Sequence, residues 1–123
     1  MNKTYIPTLA VLVLLAMLHY FATEYYLYVR YPGFDILMHI LGGIGLSLAV
    51  YWVLSTFFKD YTITLPKVII LTILAGFAWE TLEAYYDIAG APIGTHAYYL
   101  DSAKDLINDT VGACISCFFL RKK

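Results

Sequence analysis

Four stretches of this chain stay apolar for long enough to cross the hydrocarbon core of a bilayer. A helix needs about 20 mainly apolar residues to cover that ~30 Å. Inside lipid every backbone N–H and C=O must be paired, and a helix pairs them within its own segment. The stretches run over residues 5–28, 34–58, 66–88 and 102–120. Arg30, Pro32 and Gly33 break the first from the second, and Lys59-Asp60-Tyr61 forms the next turn. Pro66 stands where proline is tolerated, in the first turn of the third helix. Gly90-Ala91-Pro92-Ile93-Gly94 separates the third from the fourth. The expected fold is all-α: a single transmembrane domain over residues 1–123, built as an antiparallel, up-down bundle of four transmembrane helices.

Composition agrees. Only 14% of the residues are charged and 61% are hydrophobic, against about 25% charged in an ordinary soluble domain. The net charge of −1, with no basic run beyond Arg121-Lys122-Lys123, excludes nucleic acid as a partner. The first stretch is too long for the 7–15-residue core of a signal peptide. It closes on Tyr25-Tyr26-Leu27-Tyr28, an interfacial anchor rather than a cleavage site, so it reads as a retained helix. Cys114 and Cys117 share a helix face inside an apolar span, where packing is the expected role. Gly42, Gly43 and Gly45 have no preceding strand and the wrong spacing for a phosphate loop; close helix packing suits them.

Orientation follows from lysine and arginine. With four spans, Lys3, Lys59, Lys67, Arg121, Lys122 and Lys123 share one side, and Arg30 and Lys104 the other. This predicts a multi-pass protein of the plasma or inner membrane with both termini cytoplasmic. The acidic residues are distributed oppositely. Of nine, only Asp60 maps to the cytoplasmic side; Glu24, Asp35, Glu80, Glu83, Asp87, Asp101, Asp105 and Asp109 map to the outer loops or outer helix halves. His19, His39 and His96 fall there too, as do most of the twelve tyrosines, which form an aromatic belt.

Helical spacing converts this bias into a constellation. Asp35 and His39 stand at i, i+4; Glu80 and Glu83 at i, i+3, with Asp87 a turn further; Asp101, Asp105 and Asp109 at i, i+4, i+8. Asp101 also suits an N-cap. An ionised residue at the centre of a membrane helix costs about 2.5–3.5 kcal/mol on the lowest scale, and less near the interface. Three remedies are available: protonation of some carboxylates, pairing with Arg30 or Lys104, or a bound cation. His39, Glu80, Glu83, Asp105 and Asp109 make a ligand supply for a divalent metal. The mixed histidine and carboxylate set suits zinc, manganese or iron, and a carboxylate subset suits magnesium. In a catalytic reading His39, Glu80 and Asp109 act with the metal, and Asp35 is the base.

Asp35-x-x-x-His39 with Leu41-Gly42-Gly43, then Trp79-Glu80-x-x-Glu83 with Asp87, then Asp101-x-x-x-Asp105-x-x-Asn108-Asp109-x-x-Gly112, resembles small inner-membrane proteins of the YjdF and VanZ-like type. The resemblance covers residues 34–112 and implies a polytopic cell-envelope protein whose acidic motifs matter; it implies no reaction. Three functions are open at this point. One is a metal-dependent hydrolase or transferase acting on a lipid or envelope precursor at the outer leaflet. Another is a module that binds a cation or cationic headgroup, or moves protons or ions. The third is a structural membrane protein held together by interhelical hydrogen bonds.

Overall fold

The computed structural model describes residues 4–58, 62–86 and 91–121. Within them the chain is helical: α1 (Tyr5–Glu24), the one-turn α2 (Leu27–Arg30), α3 (Phe34–Phe57), α4 (Leu65–Tyr85) and α5 (His96–Leu120). α1, α3 and α4 are long and apolar enough to cross a membrane. α5 is longer, at 25 residues, but carries Asp101, Lys104, Asp105 and Asp109 in its first half. Their surfaces are those of lipid-facing helices. α1 exposes Ile6, Leu9, Leu12, Val13 and Met17, and α4 exposes Ile70, Leu74 and Phe77. Large exposed apolar faces of this kind mark contact with lipid or protein. Threonine hydroxyls within the long helices return to their own backbone: Thr72 Oγ1 donates to the Val68 carbonyl at 2.8 Å and Thr110 Oγ1 to Leu106 at 2.7 Å. This satisfies them where water is absent.

α3, α4 and α5 pack against one another, and α1 lies on the outside of α3 without approaching α4 or α5 among the described residues. The contacts fix directions. Asp35 meets Lys104 and Ser47 meets Ser116, so α3 and α5 run parallel. Gly76 faces Asp109 while Glu80 faces Ser102, so α4 runs against α5. Val11, Leu12 and Leu15 pack over Gly45 while Tyr28 meets Phe34 edge-on, so α1 runs against α3. α5 is the central post. Asp105, Asp109, Gly112, Ala113, Ser116, Cys117 and Leu120 are all buried. They form one stripe that turns from carboxylate to small to apolar along the helix. Its charges are therefore covered by α3 and α4 and not by lipid.

Glycines make that cover close. A Cβ at Gly43 would collide with the Asp109 backbone, and one at Gly112 with the Ile40 carbonyl. Deeper in the same interface, Ser47 and Ser116 share a buried hydrogen bond of 2.6 Å.

Two boundaries differ from the sequence expectation. The first helix was expected over residues 5–28 and ends at Glu24, because Tyr26 takes a left-handed conformation at φ 55°. That conformation is disfavoured for a residue with a side chain. Here it turns the chain so that the Tyr28 hydroxyl reaches His19 Nδ1 at 2.9 Å. The fourth helix was expected from residue 102 and begins at His96. Thr95 caps it, extended in backbone and accepting the Tyr98 N–H at 3.2 Å. Asp101, expected as a cap, lies inside the helix and pairs with Lys104. The third helix begins at Leu65 with Pro66 in its first turn, as expected. Its expected last residue, Ile88, lies outside the described residues, as do Asp60 and Asp87.

Candidate metal centre

The polar cluster sits at one end of the three packed helices, and two short-range patterns on adjacent helices build it. Asp35 lies in the first turn of α3, where a carboxylate complements the helix dipole. His39 lies one turn deeper on the same face. On α5, Asp105 and Asp109 are buried on the stripe that meets α3.

The imidazole of His39 is held at both nitrogens. Nδ1 is 3.2 Å from Asp109 Oδ1, within reach of a hydrogen bond in which an Nδ1–H donates to the carboxylate. Nε2 faces Asp35 Oδ1 at 3.7 Å and Asp105 Oδ1 at 3.6 Å. One donor atom from each of Asp35, His39 and Asp105 falls within a sphere of contacts no wider than 4.8 Å. A zinc ion with bonds of about 2.0–2.2 Å to oxygen and nitrogen holds tetrahedral ligands about 3.4 Å apart. The two measured separations lie close to that.

Asp109 is placed by glycines. Its Oδ1 lies 3.8 Å from the Cβ position of Gly42, its Oδ2 lies 2.8 Å from that of Gly76, and its backbone lies against Gly43. Any side chain at Gly76 would push the carboxylate off His39. Lys104 supplies the cluster's fixed cation. Its Nζ is 2.7 Å from Asp101 Oδ1, 3.1 Å from Asp35 Oδ2 and 3.6 Å from Asp105 Oδ1. Among the described residues two buried carboxylate oxygens nevertheless have no hydrogen-bond partner, Glu80 Oε1 and Asp105 Oδ1, the latter with only the 3.6 Å ion-pair contacts to Lys104 and His39. A buried acceptor left unpaired costs about 1–3 kcal/mol, so each calls for a cation or proton.

The remaining residues singled out in the sequence are distributed around this core. Glu80 is buried on α4 near Ser102, His39 and Asp109. Glu83 accepts the Trp79 indole N–H at 2.8 Å. Glu80, Glu83 and Asp109 supply no atom to the group with ligand spacing; Asp35, read in the sequence as a base, does. His19 binds Tyr28, and His96 is exposed at the start of α5. Burial, with Asp35 and Glu83 nearby, pushes the Tyr28 phenol above its usual value. Ser102 was not singled out; its i, i+3 relation to Asp105 was the available signal. Exposed Tyr25, Tyr26, Tyr31, Tyr85, Tyr86 and Tyr99 surround this end of the molecule.

Several apolar helices of spanning length, aromatic residues ringing one end and ionisable groups gathered between helices define a polytopic membrane protein. The chain belongs to the family described as predicted membrane protein (DUF2238), which it matches over residues 3–122. YjdF is a member of that family, so the YjdF side of the sequence resemblance is supported and the VanZ-like side is not. Neither the curated proteins nor the solved structures contain a match.

Proposed function

We propose that this protein is a four-span membrane protein that binds one divalent metal at the outer end of its bundle through Asp35, His39 and Asp105. The observation that carries this is the ligand-like spacing of His39 Nε2 from the two Oδ1 atoms, with Nδ1 held by Asp109. A carboxylate on the far nitrogen of a metal-bound histidine is the usual means of orienting it. Two carboxylates and one imidazole suit zinc, and also manganese or iron. In this reading α5 is the fourth crossing, with Asp105 and Asp109 buried against α3 and α4. The same reading has both termini facing the cytoplasm, which the lysine and arginine distribution supports.

Three protein ligands leave coordination open, which is the arrangement of catalytic rather than structural zinc. A metal so held lowers the pKa of bound water and polarises a phosphoryl or acyl oxygen. Glu80, buried beside His39 with a free oxygen, is the carboxyl available as a base. The exposed tyrosines at this end support a site at headgroup depth, and in this reading the substrate is a lipid or a lipid-linked envelope precursor.

A second reading has its own observation. Lys104 already bridges Asp35, Asp101 and Asp105, so the cluster also suits a charge network that joins α3 to α5 or receives a cationic headgroup. Elemental mass spectrometry of the detergent-purified protein, beside His39→Gln and Asp105→Asn, separates the two. The metal centre requires close to one metal per chain, lost in both variants. Folded protein without metal after zinc, manganese and iron supplementation leaves the charge network.

A further inference from the structure

The Lys104 ammonium lies where a metal would repel it. Asp105 Oδ1 stands 3.6 Å from Lys104 Nζ and 3.6 Å from His39 Nε2, so one oxygen faces both the lysine and the ligand group. A divalent ion bonded to that oxygen and to His39 would be a few ångströms from the ammonium. His39 and Asp105 are largely out of water, and like charges brought together beside them repel more than they would in bulk solvent.

The lysine has somewhere to go. Its side chain is 42% exposed, whereas that of Asp105 is 6% exposed. It borders an open pocket of about 370 Å³ lined by Ala91, Ala97, Leu100 and Asp101. Its shortest contact, 2.7 Å, is to Asp101, one turn back on its own helix. Asp101 lies outside the ligand group, so Lys104 can keep that partner while releasing Asp35 and Asp105.

We infer that Lys104 is a tethered counter-ion of the metal centre: it neutralises Asp35 and Asp105 when no metal is bound, and metal displaces it onto Asp101 and into the adjacent pocket. This rests on the metal-centre reading. Lys104 is a positioning residue, holding two carboxylates together that would otherwise repel, and it sets affinity by competing for them.

The test uses zinc on the full chain in detergent, with three readouts. Lys104→Met should bind zinc more tightly, on the order of tenfold or more. Its metal-free form should unfold at lower temperature than wild type, and saturating zinc should abolish the difference. Asp101→Asn, which removes the parking partner, should weaken zinc binding several-fold. In the wild-type protein, zinc should speed acetylation of Lys104 by an amine-reactive reagent. Weaker or unchanged zinc binding in folded Lys104→Met overturns the inference, as does slower acetylation with zinc. If Lys104→Met fails to fold, tighter binding by Asp101→Asn overturns it equally. Asp105→Asn keeps the two levels apart. Loss of zinc there, with Lys104 inert, removes the counter-ion and retains the centre. Failure of wild type to bind zinc, manganese or iron removes both.

Discussion

His39 on α3 and Asp109 on α5 lie 3.2 Å apart, and this contact joins the geometry of the cluster to the packing of the helices. Gly43 and Gly76 leave room for Asp109 where a Cβ would press on its backbone and its carboxylate. Asp109 should therefore act on metal through His39. In Asp109→Ala the Nδ1 proton loses its acceptor and the ring is free to rotate. Metal affinity should fall about 10–100-fold, the usual cost of losing such a partner, with stoichiometry recoverable at high metal. Asp109→Asn keeps a carbonyl oxygen for the Nδ1 proton and should lose less. Titration against a competing chelator measures both. Equal affinity in wild type and Asp109→Ala would detach Asp109 from the site.

The glycines should divide sharply. A methyl at Gly43 or Gly112 meets backbone of the facing helix, which cannot rotate away as a side chain can. Gly43→Ala and Gly112→Ala should each destabilise the protein by about 1–3 kcal/mol or more. Because the collision is at Asp109 or beside Ile40, they should weaken metal binding as well. Gly33 has nothing within 4 Å of its Cβ position, and its φ of −88° is open to any residue. Gly33→Ala should stay within about 0.5 kcal/mol of wild type. Thermal unfolding in one detergent compares the three.

The parts of this site legible in sequence are those set by helical spacing. Asp35 with His39, and Asp101 with Asp105 and Asp109, share faces at any tertiary arrangement, because i and i+4 lie together on a helix. Which residues meet across helices depends on rotation and depth. α4 is apolar on most of its surface, so its periodicity gives no rotation. In the structure it turns Glu80 inward beside His39 and leaves Glu83 to Trp79. This is why Asp35, rather than either glutamate, completes the group with ligand spacing. The start of α5 was obscured for a different reason. Asp101 offered a capping side chain close to the apolar run, but the cap is Thr95 Oγ1, with polar helical turns between.

The orientation of the bundle has a separate test. Tyr99 is exposed at the cluster end of α5, and Phe58 is exposed just beyond the opposite end of α3. With both termini cytoplasmic, these positions lie on opposite sides of the membrane. Cys114 and Cys117 are free thiols, so both are first replaced by alanine. In that background, Tyr99→Cys should react with a membrane-impermeant maleimide added to intact cells. Phe58→Cys should react only after the membrane is permeabilised. The reverse pattern would move the cluster to the cytoplasmic leaflet, leaving its geometry intact and changing its substrate to one made inside the cell. Reaction of both positions in intact cells would mean that α4, the long helix between them in the chain, does not cross the membrane.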